Sequence, residues 1–173
     1  NANITNLTSG TYTLTVTDMT GCNENFTTTI SEPVALVIDN TSSSDISCFG
    51  ANDGLASVIT SGGIAPISYE WFSCTTGLST GITTAVASGL GPDTYQVVVT
   101  DANGCSVTGP CLVVNEPPSL TATINTSNVN CYGDCDGLMD VQPAGGTAPY
   151  FYQWQDEFGI DYPGQTNDTM NNV

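Results

Sequence analysis

The residues able to do chemistry in this chain of 173 are 7 cysteines and 17 carboxylates, and lysine, arginine and histidine are all absent. A thiol becomes reactive when a neighbouring cation lowers its pKa, and here only carboxylates surround it. Acid–base and nucleophilic schemes that depend on histidine or lysine are closed to the chain. A carboxylate pair of the glycosidase kind is the one scheme left. Glu32 and Glu116 fall in linker positions, however, and Glu70 sits on a strand beside Trp71. The sequence reads as a non-enzyme.

The formal charge of −17 points the same way. Without a cation to meet phosphate, nucleic acid is excluded as a partner, and so is direct contact with an anionic membrane. Only 10% of residues are charged, so threonine, serine, asparagine and glycine must make up most of the surface. The acidity reads as a solvated, self-repelling surface rather than a specific cation site. Asp134, Asp136 and Asp140 are nevertheless clustered, and Asp45, Asp53, Asp93 and Asp101 lie near expected turns. Oxygen ligands on loops are what calcium requires, which makes the first three the candidate metal ligands. An Asp-Gly turn needs its aspartate for backbone geometry alone, and no EF-hand spacing occurs. No cofactor is expected, with calcium the one that these residues could accommodate.

Strands must position these groups. In Thr11–Asp18, Tyr12, Leu14 and Val16 alternate with threonine, and in Thr94–Asp101, Tyr95, Val97 and Val99 do so again. Period 2 places the large residues on one face of a half-buried strand. Each stretch leads through a turn to a cysteine, Cys22 or Cys105, and the two stand 83 residues apart by the difference of their numbers. Cys48-Phe49-Gly50-Ala51-Asn52-Asp53-Gly54 and Cys131-Tyr132-Gly133-Asp134-Cys135-Asp136-Gly137 keep the same interval. So do Gly62-Gly63-Ile64-Ala65-Pro66 through Trp71 and Gly145-Gly146-Thr147-Ala148-Pro149 through Trp154. Glu32-Pro33 and Glu116-Pro117 follow with one residue inserted.

A period this long means tandem domains, each able to bury a small core. Residues 1–33 read as the closing strands of a first module, 34–117 as a complete module, and 118–173 as the opening strands of a third. The expectation is a segment cut from a longer array. In the middle module, strands are expected at Ala35–Ile38, Leu55–Ile59, Ile67–Phe72, weakly within 75–89, at Tyr95–Thr100 and within 106–114. A polar leader, Ser42–Ser47, separates the first two, and Ile4–Leu7 forms a short strand in the first module. No window has helical spacing. The fold class is all-β: tandem immunoglobulin-like β-sandwich modules of about 83 residues, without helix. Tyr12, Tyr95, Trp71 and Trp154 are the expected core anchors.

Cysteine usage suggests disulfides in an oxidising, extracellular setting. Cys22, Cys48, Cys105 and Cys131 belong to the repeat, whereas Cys74, Cys111 and Cys135 are local additions. In a sandwich of this order Cys48 and Cys105 lie a full strand apart, beyond disulfide reach. The repeated cysteines are therefore expected to pair between consecutive modules, the Cys48 type of one with the Cys105 type of the next. Cys74 and Cys111, peculiar to the middle module, are the candidate pair within it.

Cys-x-Gly-x-x-Asp-Gly, Gly-Gly-x-x-Pro-x-x-Tyr-x-Trp, Thr-Tyr-x-Val-x-Val-Thr-Asp-x-x-Gly-Cys and a closing Glu-Pro together resemble the SprB repeat. The resemblance covers the whole chain in phase. It implies a very large cell-surface adhesin of Bacteroidota, exported by the type IX system and serving attachment or gliding. The three added cysteines and the lack of basic residues depart from the usual pattern.

The expected role is thus a structural, adhesive repeat segment of an extracellular cell-surface fibre. Its partners would be neighbouring modules or copies of itself, and surface glycans. The alternative is a calcium-dependent or carbohydrate-binding adhesion domain. Candidate glycosylation sites are Asn3, Asn6, Asn25, Asn40, Asn125 and Asn167, each in Asn-x-Ser/Thr, and Thr169 in an Asp-Thr-Met similar to a Bacteroidota O-glycosylation motif.

Overall fold

The computed structural model describes residues 3–133 and 136–161, together with the backbone of Thr169–Asn171. In chain order the strands are β1 (Gly10–Thr17), β2 (Asn23–Ile30), β3 (Val37–Ser44), β4 (Gly54–Ser61), β5 (Ser68–Ser73) and β6 (Val86–Leu90). They continue with β7 (Asp93–Thr100), β8 (Ser106–Thr108), β9 (Leu112–Val114), β10 (Thr121–Ser127), β11 (Leu138–Ala144) and β12 (Thr169–Asn171). The chain is all-β, with no helix among the described residues.

The middle module is a sandwich of two antiparallel sheets. One has the order β3-β4-β6; the other sets β5 on one edge of β7, with β8 and β9 on the opposite edge. Alternation decides what lies between them. Ala56 and Val58 of β4 and Tyr95, Val97 and Val99 of β7 point inward, each separated by a residue that does not. Trp71, fully buried on β5, completes the core with Ala87, Leu90, Ile46 and Val114. Its indole N–H donates to the carbonyl of Thr84 at 2.9 Å, and the Tyr95 hydroxyl donates to the carbonyl of Gly91 at 3.1 Å. Both aromatic residues thus bury their rings without stranding a polar atom.

Three details differ from expectation. The first strand begins at Val37 and runs through Ser44, so it includes serines expected to form a leader. Pairing with β4 as far as Ser44↔Leu55 holds them there, and the Ser42 and Ser57 hydroxyls bond across the ladder at 2.7 Å. Ile4–Leu7 forms no strand. The last strand of the middle module is split into β8 and β9 around Gly109-Pro110-Cys111, whereas its counterpart β2 is continuous.

The flanking stretches repeat parts of this sandwich. The β1–β2 hairpin, in register from Gly10↔Ile30 to Thr17↔Asn23, stands where β7 and β8–β9 stand. The β10-β11-β12 sheet reproduces the β3-β4-β6 order. The Gly-Gly corner shows why the repeat keeps glycine. Gly62 and Gly145 have φ of +70° and +73°, and a Cβ there would lie 1.9 Å from the Ala35 carbonyl oxygen and 2.1 Å from that of Ser119. The anchors follow the same division. Trp71 and Tyr95 are buried, but Tyr12 and Trp154 are only half-buried, correcting the expectation that all four are core. Each belongs to a part-module whose opposing strands are elsewhere in the repeat.

Candidate functional site: the two poles of the module

At the entry pole, Asp101 organises the turn that carries Cys105. Its Oδ1 accepts the N–H groups of Asn103 and Cys105, both at 2.9 Å, and its Oδ2 accepts that of Ile64 at 3.1 Å. Gly63 in turn donates to the carbonyl of Val34, where the chain enters, at 2.9 Å. Partial burial acts to raise the Asp101 carboxyl, but the N–H donors of Cys105, Ile64 and Asn103 outweigh it and hold it below the ordinary range. Asp18 builds the same turn in the first hairpin. It accepts from the Thr20 hydroxyl at 2.7 Å and from the N–H groups of Thr20 and Cys22, and its carboxyl is likewise lowered, first by Thr20. Asp156 repeats the geometry with the N–H groups of Phe158 and Ile160.

At the exit pole, Asp53 accepts the Ser47 hydroxyl at 2.5 Å and the Ser47 N–H at 3.0 Å, which lower its carboxyl in that order. Asp136 does the same with the backbone and side-chain amides of Asn130. Asp45 accepts the N–H of Asn115 at 2.8 Å, and Glu116 Oε1 accepts the N–H of Gly50 at 2.7 Å. Asp93 accepts the hydroxyls of Ser73, at 2.5 Å, and of Thr75, and these lower it most. The turn aspartates are spent on local backbone geometry. The recurring Asp-x-x-Gly-Cys signalled this, but the links across the exit pole carried no signature.

Of the candidate calcium ligands, Asp134 lies outside the described residues. Asp136 is engaged in its turn, and Asp140 is on β11, opposite Asn125. Among the described residues no three acidic or cysteine side chains are grouped closely enough to hold a metal ion. Cys74 and Cys111 are joined, with S–S 2.04 Å and Cα–Cα 6.3 Å. Cys22, Cys48, Cys105 and Cys131 are free and exposed, and Cys135 lies outside the described residues. Cys105 is on the entry-pole turn and Cys48 on the exit-pole loop, at opposite ends of β4. Asn3, Asn6, Asn25, Asn40 and Asn125 are all exposed; Asn167 and the side chain of Thr169 lie outside the described residues.

The β1–β2 hairpin and the β10–β11 sheet depart from this polar pattern, the latter with a groove of about 370 Å³ lined by Leu120, Val141, Pro143, Pro149, Tyr150 and Phe151. Ile4, Leu7, Tyr12, Leu14, Phe26 and Ile30 line an apolar groove of about 370 Å³ on the β1–β2 hairpin.

One antiparallel sandwich with entry and exit at opposite ends, flanked by a hairpin and a sheet that match parts of it, and aspartates committed to turns make this a repeated β-module. The SprB repeat family model matches residues 40–76 and 123–157, so the chain carries the SprB repeat twice, in phase with its own period. SprB repeats typically occur in cell-surface proteins. No curated protein matches the chain.

Proposed function

We propose that this chain is a structural and adhesive segment of an extracellular cell-surface fibre, serving attachment or gliding, with no catalytic activity and no cofactor. The carrying observation is the placement of the poles. Chain entry at Val34 is bonded to the Gly63 corner, and chain exit at Asn115 is bonded to Ile46 and Asp45, one β4 length away. Entry and exit at opposite ends make successive modules run end to end, and a Glu-Pro junction stiffens each joint. The proposed partners are neighbouring modules and surface glycans.

Covalent ties between modules belong to the same reading. Cys48 of one module and the Cys105-type residue of the next face one junction. Each pair would give two protons and two electrons to a disulfide oxidant, which leaves as two thiols. Electron microscopy of cells labelled with an antibody to residues 34–117 tests the reading. Label along extended surface fibres is the expected result; label confined to the cell interior removes it. Calorimetric titration with calcium, with and without chelator, tests the cofactor-free reading, and binding heat would replace it with calcium-dependent adhesion.

A further inference from the structure

The first and last strands of the middle module, β3 and β9, belong to different sheets yet are bonded to one another near the exit pole. The Ser43 hydroxyl donates to the carbonyl of Val113 at 2.8 Å, and the Asn115 N–H donates to Asp45 Oδ1 at 2.8 Å. The Ile46 N–H then donates to the carbonyl of Asn115 at 2.9 Å. Along this seam the residue numbers rise together on both sides, so the two strands run in the same direction, from entry to exit. Ile46 and Val114, 3% and 2% exposed, back the seam with apolar bulk. Gly54 leaves room for them, since a Cβ there would lie 2.5 Å from Val114 Cγ1 and 3.4 Å from Ile46 Cγ1.

Placement decides how the seam is loaded. The chain enters the module at Val34, ahead of β3, and leaves it at Asn115, after β9, at the opposite pole. Force passed along a row of modules loads β3 towards the entry pole and β9 towards the exit pole. The strands are then sheared past one another along their length. A ladder opened from one end gives way bond by bond, whereas a sheared one must lose its bonds together. The seam joins directly the two strands that carry the ends of the module. Asp53 supplies the contrast: it also accepts a hydroxyl and an N–H, both from Ser47, but it closes a loop and joins no loaded strand.

We propose that the β3–β9 seam is the mechanical clamp of the module. Ser43, Asp45 and Ile46 on one side, and Val113 and Asn115 on the other, set how fast the module opens under load. The inference rests on the fibre reading above, which supplies the load, and the test reads the clamp itself, not attachment.

Full-length chains are held by their two ends at constant force, and the opening rate of the middle module is read from the event that Trp71→Ala removes. Ser43→Ala combined with Asp45→Ala alters two exposed positions, so far-UV circular dichroism should be unchanged. This double variant should open at least about fivefold faster than the parent, the worth of two bonds lost before the barrier is crossed. Asp45→Asn keeps a side-chain acceptor for the Asn115 N–H and should stay within about twofold. Asp53→Ala should also stay within about twofold under load, although it loses stability in urea. A smaller rise in the double variant, or an Asp53→Ala chain that opens as fast, overturns the proposal. If the double variant loses its circular dichroism signal, Asp45→Ala alone takes its place, with a rise of at least about threefold expected against the same control. Antibody label confined to the cell interior would remove the fibre reading without touching these rates. Unchanged rates in a chain that does label surface fibres would remove only the clamp.

Discussion

Glu116, in the closing Glu-Pro of the middle module, accepts the backbone N–H of Gly50 at 2.7 Å across 66 residues of sequence. The bond fastens the exit strand to the loop that carries Cys48. Glu116→Ala should lower stability by about 0.5–1.5 kcal/mol, the net worth of one such bond. The specific readout is amide exchange at Gly50, which should quicken while exchange at Val97 barely changes.

The Cys74–Cys111 bond closes a 37-residue loop. Loop-closure entropy puts its stabilisation at about 3–4 kcal/mol. Replacing both cysteines by serine should lower the urea midpoint accordingly. Adding reductant to the native chain should reproduce most of that shift, and a variant as stable as the parent would refute the assignment.

Trp71→Phe keeps most of the buried bulk but leaves the Thr84 carbonyl without its indole donor. A stranded buried acceptor costs about 1–3 kcal/mol. Urea unfolding followed by circular dichroism should show that loss, whereas Gln153→Ala, on an exposed position, should change little.

Asp101 is held below the ordinary aspartate range. Its contribution is therefore complete above the unfolded value, about 3.9, and is lost as pH falls through the lower folded one. Asp101→Asn should be less stable than the parent at neutral pH, and the gap should close on the acid limb. Urea midpoints of both proteins across that range check the sign; a gap that widens on acidification would contradict it.

Period-2 alternation at Tyr95, Val97 and Val99 is a local property, so the core strand was legible from the residues alone. The repeat interval exposed the tandem organisation in the same way. Pairing is not local. Ser42–Ser44 are strand because β4 lies beside them, whereas residues 151–156, with the same pattern as β5, have no ladder partner among the described residues beyond the bridge Gln155↔Asp161. Trp154 and Tyr12 miss full burial for the same reason. At the poles, the Asp-x-x-Gly-Cys turn could be anticipated. The Glu116–Gly50 and Asp45–Asn115 bonds join positions 66 and 70 residues apart and left no trace in spacing.

The Cys74–Cys111 bridge also limits how far a pulled module can lengthen. Stretched from its ends, the chain cannot pay out the 37 residues between the two sulfurs. At about 3.4 Å per residue, roughly 125 Å of slack stays locked however hard the strand is drawn. A tether built from such units would yield in short steps and lose little tension at each one.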